Sequence, residues 1–302
     1  MTATAGRAPA RAGGRPGALW AVPALLYFAL FAVVPMALVV VLSFCSWSGL
    51  GSPSWAGTAN WARLTHDPQL GQSVRLSLLL TAVTWAAQTL ICLPLGVWCA
   101  GHQRGRAVLS TLFFLPLLMS TAAVALLFGA LLDPNFGLAH TVGPWLGVGD
   151  GNFIGSPRLA LWTIMAVITW QFVPFHTLLY QAAARQVPAQ LYEAATIDGA
   201  GRWRQFFSVT LPQLRDTVVT SSVLILVGSL TYFDIVLILT NGGPGTATRI
   251  LPLHMYLTGF SSFDMGYASV LAVLLLVTGT TLSLVVVRVT GFRRMTSRRE
   301  GL

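Results

Sequence analysis

Six apolar runs, at approximately 19–44, 76–100, 107–131, 159–184, 217–240 and 268–287, dominate the chain, and charge is almost absent from them. At about 1.5 Å of rise per residue, about 20 helical residues cover the roughly 30 Å hydrocarbon core of a bilayer. Hydrocarbon offers no water to bond the backbone, so each segment must close its own N–H and C=O groups, and helices do this naturally. The expected fold class is all-α: a polytopic membrane protein with six transmembrane helices. Composition agrees, because 9% of the 302 residues are charged and 55% are hydrophobic, whereas a soluble domain carries about 25% charged residues. The fifth run is the weakest because it holds Asp234 near its end. That acid must sit at the outer boundary or face protein.

Orientation follows from arginine, which supplies all 18 basic residues. Arg7, Arg11 and Arg15 precede the first run, and Arg104 and Arg106 fill the turn between the second and third. Arg185, Arg202, Arg204 and Arg215 lie between the fourth and fifth, and Arg288, Arg293, Arg294, Arg298 and Arg299 follow the sixth. These 14 fall on one side, against Arg63, Arg75, Arg158 and Arg249 on the other. The positive-inside tendency then places both termini and the 185–216 connection in the cytoplasm. The expected organisation is a cytoplasmic tail at 1–18, a six-helix domain at 19–290 and a second tail at 291–302. The first run is longer than a secretory core, lacks a small-residue cleavage pattern and reads as a retained signal anchor. Phe44 before Cys45 argues against a lipoprotein cleavage box.

The outward connections carry Trp47, Trp55, Trp61 and Trp145, which suit the headgroup boundary, with direct solute contact as the alternative. Pro23, Pro35, Pro94, Pro116 and Pro174 lie in or near spans and can bend them. Cys45, Cys92 and Cys99 have no metal spacing and read as small hydrophobes. His66, His102, His140 and His254 are dispersed, and His176 reads as a packing residue or a gate. No G-x-S-G or H-E-x-x-H occurs to support an intramembrane enzyme, and no GxxxxGK[ST] loop occurs to hold ATP. Without a basic stripe interleaved with aromatics, no nucleic-acid partner is expected.

The connection between the fourth and fifth runs is unusually elaborate. Pro188 can occupy the first turn of a helix, and Ala189 to Ala195 favour helix. Gly199 can end it in the left-handed region. Ala194 and Ala195 permit close approach, and Glu193 offers charge-assisted hydrogen bonds. Arg202, Trp203, Arg204, Phe206, Phe207, Val209 and Leu211 follow as an interface-type series, closed by Pro212. A linker that merely rests on lipid is the alternative; a docking surface for a soluble partner fits the chemistry better. A polar stretch of this kind also speaks against a channel or a secondary transporter.

Glu193-Ala194-Ala195, three residues, Gly199, nine residues, Val209, one residue and Leu211-Pro212 resembles the coupling motif of bacterial ABC importer permeases, with valine where isoleucine is usual. The run Leu191 to Ala200 is closest to the carbohydrate-importer form. Leu239-Thr240-Asn241-Gly242-Gly243-Pro244-Gly245, with Ala247-Thr248, Phe263 and Gly266-Tyr267-Ala268 further on, is similar to the first permease subunit of sugar and glycerol-phosphate uptake systems, the maltose type. The resemblance runs from the first span through the sixth. It implies import of a sugar, with glycerol 3-phosphate or another polyol derivative as the alternative. It also implies a second homologous permease, two ATPase subunits that hold ATP and Mg, and an extracytoplasmic solute-binding protein. No cofactor is implied on this chain, which is not itself an enzyme. Residues 189–199 become the coupling helix: Glu193 its polar contact, Ala194 and Ala195 its close packing, and Asp198 and Gly199 its turn.

Gln171 and Ser229 lie about 12 residues into their spans, about 18 Å deep at about 1.5 Å per residue. At that depth they need either an interhelical partner or a watery path. Ser229 and Tyr232 share one face at i,i+3 spacing. The resemblance implies solute-facing positions at Ile168, Gln171, Phe172, Gly228, Ser229 and Tyr232. Ile168 and Gly228 cannot donate side-chain hydrogen bonds, which makes maltose itself a poor fit. Asn241, Gly242, Gly243 and Pro244 can form a tight extracytoplasmic turn, either as a bare connector or as a contact for the binding protein or the partner permease. Gly266-Tyr267-Ala268 is expected to position the start of the sixth span.

Overall fold

The computed structural model describes residues 18–101 and 113–290. Arg7, Arg11, Arg15, Arg104, Arg106, Arg293, Arg294, Arg298 and Arg299, and most of both tails, lie outside the described residues. The first helix, α1 (Val22–Leu42), widens to π-type turns at Ala29–Val33 just before Pro35. None of its side chains is buried within the chain, and it leans on the last helix. A short antiparallel ladder follows, pairing Cys45 with Trp55 and Ser46 with Ser54.

Helix α2 (Leu70–Cys99) begins six residues before the expected second span, because its first turns rise out of the apolar stretch. It packs against the fourth long helix over most of its length, and this pair is the backbone of the fold. Their approach depends on Gly96: a Cβ there would lie 2.6 Å from Cβ of Tyr180 and 2.9 Å from the Thr177 carbonyl.

The expected third span is not one continuous helix in its described part. A single turn at Leu115–Leu118 ends where Met119 and Ser120 turn extended, at ψ of 142° and 150°. Ser120 then caps α3 (Thr121–Leu131), its hydroxyl accepting from the Ala123 N–H at 3.2 Å. Such a cap satisfies an N–H that the helix leaves open.

The fourth span is α4 (Ala160–Ala184), and the short α5 (Ala189–Ile197) follows it. The expected fifth span is broken rather than straight: α6 (Arg215–Ser229) and α7 (Asp234–Thr240) meet at 47°. Thr231 directs both its N–H and its hydroxyl to the Gly228 carbonyl, at 2.9 and 2.8 Å, which winds the chain out of the helix. Asp234 opens α7, where its charge meets the positive end of the helix dipole. The final helix is α8 (Met265–Thr290).

Among the described residues, four helices are long and apolar enough to cross a membrane, five if the bent pair counts as one. The largest core cluster lies between α2, α3, α4 and α7 around Leu80, Val124, Ile164, Ile168 and Ile235. Cys45, Cys92 and Cys99 are all buried and free.

Candidate functional site

Helix α5 stands apart from the core: none of its residues is buried. Pro188 precedes it with extended ψ of 132°, and Gly199 ends it at φ of +75°. The Gly199 N–H donates to the Thr196 carbonyl at 3.0 Å and the Ala200 N–H to the Ala195 carbonyl at 2.8 Å. This pair of bonds is a Schellman cap, which needs a left-handed residue where glycine stands.

Three side-chain bonds fix α5 in place. The Tyr192 and Thr210 hydroxyls share one at 3.0 Å, and the Gln205 amide donates to Thr196 Oγ1 at 3.0 Å and to the Ala200 carbonyl at 2.9 Å. Glu193 and Asp198 face outward, with no ion pair among the described residues. Ile197 is 86% exposed, and Trp203, 79% exposed, stacks on Phe207 at 6.5 Å. The result is a rigidly held platform that mixes carboxylates, methyls and aromatic faces.

Deeper in the molecule, the expected solute residues divide between apolar packing and interhelical hydrogen bonds. Ile168 is wholly buried in the apolar core. The Gln171 amide reaches Thr121 Oγ1 at 3.4 Å, leaving its own Oε1 without a partner. The Ser229 hydroxyl donates to Thr81 Oγ1 at 3.0 Å, an interhelical pair. The i,i+3 face expected for Ser229 and Tyr232 is absent because α6 ends at Ser229. Tyr232 sits in the bend instead, where its ring stacks on Phe172 at 5.1 Å and its hydroxyl lies 3.6 Å from where a Gly228 Cβ would stand. The structure thus joins Phe172 and Tyr232 to the core cluster that holds Ile168, sets Gly228 beside the Tyr232 hydroxyl, and gives Gln171 and Ser229 hydrogen bonds to other helices. His176 is buried and shares a hydrogen bond with the Ser221 hydroxyl at 2.9 Å.

One stripe escaped the sequence reading. The buried face of α2 carries Ser73, Ser77, Thr81, Thr84 and Gln88. Gln88 is wholly buried beside the Tyr232 hydroxyl, and neither of its amide atoms completes a hydrogen bond of good geometry. The signal was available, because small and polar residues recurring every three or four positions in an apolar run mark the face turned toward other helices.

At the opposite end from α5, Asn241, Gly242 and Gly245 all adopt positive φ, at 49°, 86° and 61°. Gln72 bonds twice to Thr246, through its amide to the carbonyl at 3.0 Å and from the Thr246 hydroxyl at 3.3 Å. The Leu251 N–H donates to Ser77 Oγ at 2.8 Å. The turn is therefore strapped to α2.

Beside the turn, Asp67 accepts from the Tyr267 hydroxyl at 2.7 Å and pairs with His254 Nε2 at 2.8 Å. Burial pushes the Asp67 carboxyl up, but hydrogen bonds from His254, Tyr267 and the Gln69 N–H outweigh it and hold it below its ordinary value. Arg63 pairs with Asp264 at 2.7 Å and lies 4.4 Å above the Tyr267 ring. Gly266 lets the start of α8 pass Cys45 at a distance no Cβ would allow, and the Met265 N–H donates to the Trp47 carbonyl at 2.9 Å. Among the described residues, no group of His, Cys, Asp and Glu is arranged to hold a metal.

The model of the family described as the binding-protein-dependent transport system inner membrane component matches residues 92–294. A probable ABC transporter permease of Pyrococcus horikoshii is 32% identical over 261 residues, 85% of this chain and 89% of its own length. The trehalose/maltose transport system permease protein MalF of Thermococcus litoralis is 30% identical over 240 residues, covering 80% of this chain and 81% of its own length. A chain in the crystal structure of a bacterial alginate ABC transporter, in complex with alginate pentasaccharide-bound periplasmic protein, superposes with a TM-score of 0.80. It covers 92% of this chain and 96% of its own, and at 21% identity the likeness is one of fold.

Proposed function

We infer the role of this chain from the family to which it belongs, the inner membrane components of binding-protein-dependent transport systems. It is the permease subunit of an ATP-driven importer for a sugar or oligosaccharide. A relative named for trehalose/maltose transport supports the substrate class, as does the carbohydrate-type sequence Leu191 to Ala200. The subunit spans a bacterial inner membrane six times with both termini in the cytoplasm. It pairs with a second homologous permease and two ATPase subunits, and a solute-binding protein delivers the sugar from outside. ATP and Mg stay on the ATPases.

The observation that carries this reading is α5, a capped helix between two membrane segments with no buried residue and an outward-facing Glu193. A helix held so firmly and covered so little fits a cleft on a moving partner. Glu193 supplies the polar contact there, Ala194 and Ala195 the close approach, and Asp198 and Gly199 the turn. The sugar path runs past the Phe172–Tyr232 stack, where aromatic faces can cover apolar sugar faces. Ile168, Gln171, Gly228 and Ser229 shape the surroundings.

The test is Glu193→Ala in the complete complex, reconstituted in liposomes with loaded binding protein. Uptake is expected to fall at least tenfold, the loss that follows about 1.4 kcal/mol of missing contact, while insertion and subunit assembly persist. Wild-type uptake by this variant would remove α5 from the coupling path.

A further inference from the structure

The connection between α3 and α4 packs inside out. A short helix, Leu138–Val142, tightens into one further turn at Gly143–Leu146. Its inward residues are the small ones, Ala139 and Gly143, which are buried. The chain at Gly151 closes on them: a Cβ on Gly143 would lie 2.6 Å from Gly151 Cα, and one on Gly151 would lie 2.5 Å from the Ala139 carbonyl oxygen. The outward residues are the large apolar ones. Phe136 is 95% and Trp145 88% exposed, and Leu138, Val142 and Leu146 are exposed as well. Leu138 and Val142 share one side of the helix and Ala139 and Gly143 the next, which leaves the exposed His140 and Thr141 on the remaining side. A loop surrounded by water buries its bulk; an apolar surface of this kind marks a membrane or a protein partner.

We propose that residues 136–146 form an anchor lying in the plane of the outer leaflet, with phospholipid acyl chains covering Phe136, Leu138, Val142, Trp145 and Leu146. The assignment to the outer leaflet rests on the permease reading and its arginine orientation. Position favours lipid over protein. The helix starts directly on the end of α3, because a Cβ at Gly137 would lie 2.6 Å from the Ala130 carbonyl oxygen and 2.5 Å from that of Leu131. It therefore sits where a membrane segment leaves the bilayer. Charge favours lipid too. No Asp, Glu, Lys or Arg lies between Asp133 and Asp150, whereas a protein interface carries a polar rim. Both of those carboxylates are turned onto their own backbone: Asp133 Oδ1 accepts from the Asn135 and Phe136 N–H groups at 2.8 and 3.0 Å, and Asp150 Oδ1 from the Asn152 N–H at 3.1 Å. One apolar side, one polar side and a Trp suit a helix lying at the boundary of headgroups and acyl chains. The anchor also has a task. At 11 residues α3 covers about 16 Å of a roughly 30 Å core, so a fixed point at its outer end sets its depth.

The experiment uses the full complex in phosphatidylcholine vesicles, with and without added phosphatidylglycerol. Cys45, Cys92 and Cys99 are buried, so a fluorophore can be placed on single introduced cysteines, with uptake as the check on assembly. Labels at Leu138→Cys, Val142→Cys and Leu146→Cys should be quenched by lipids brominated near the top of the acyl chain, and several-fold less than the other set by aqueous iodide. Labels at His140→Cys and Thr141→Cys should show the reverse. Phosphatidylglycerol should change neither pattern, because the helix carries no Lys or Arg. An unlabelled check is intrinsic fluorescence, whose lipid-quenched fraction should fall in Trp145→Tyr. Equal access of iodide to both sets would overturn the anchor. So would an apolar set shielded from iodide and bromine alike, which would assign the face to a protein subunit, or shielding that appears only with the binding protein. A membrane-impermeant maleimide should label Thr141→Cys in spheroplasts. Labelling only after lysis would overturn the outer-leaflet assignment through the orientation, even with the lipid contacts intact.

Discussion

Gly199 offers the sharpest test of how α5 is held. It sits at φ of +75°, and a Cβ added there would meet nothing within 4 Å. Replacement by alanine therefore introduces no clash, and the whole effect comes from backbone conformation. A left-handed residue with a Cβ is less stable by roughly 1–2 kcal/mol, which lowers the ratio of capped to uncapped states by a factor of about 5–30. The two donors at stake are the N–H groups of Gly199 and Ala200. In Gly199→Ala, hydrogen exchange across residues 199–200 should accelerate by that factor, and uptake per ATP hydrolysed should fall because the platform is disordered for part of the time. Gly201 provides the control. It is equally open, but its φ is −67° and its ψ 168°, a conformation any residue adopts. Gly201→Ala should leave exchange and uptake alone. Equal behaviour of the two variants, or wild-type exchange in Gly199→Ala, would refute the view that the left-handed cap holds the platform.

Two further outcomes follow from packing and charge. Gly96→Ala forces a Cβ to 2.6 Å from Tyr180, so α2 and α4 must separate, at a cost of about 1–3 kcal/mol; a lowered midpoint in detergent thermal unfolding checks this. Asp67 has a depressed carboxyl pKa, so its contribution to stability is complete above the unfolded value of about 3.9 and is lost as pH falls through the lower folded value. Thermal midpoints measured from pH 6 down to pH 3 should show an acid-side decline that Asp67→Asn flattens.

How much of the molecule could be read from its residues depends on the distance over which each feature is built. The first, second, fourth and sixth spans were legible as long helices because bilayer thickness imposes a run of fixed length on composition. Helix α5 was legible because Pro188 and Gly199 punctuate it locally, and both its caps lie within 12 residues. The break at Leu230–Phe233 was harder: it arises from two bonds that Thr231 makes to one carbonyl, and threonine occurs in unbroken membrane helices as well. Once that break exists, the spacing of Ser229 and Tyr232 no longer reports a shared helical face.

The inward stripe of α2 failed for a different reason. Hydropathy averages over a segment, whereas the informative quantity was where Ser73, Ser77, Thr81, Thr84 and Gln88 fall around the helix. Asp67 meets His254 and Tyr267 across 187 and 200 residues, a separation at which no local pattern survives. The contrast bears on function. Helix α5 is encoded within a short stretch because it folds on an exposed surface with no buried residue of its own. The interior polar contacts are encoded across α2, α4 and the α6–α7 bend, because a polar group at that depth needs a partner from another helix.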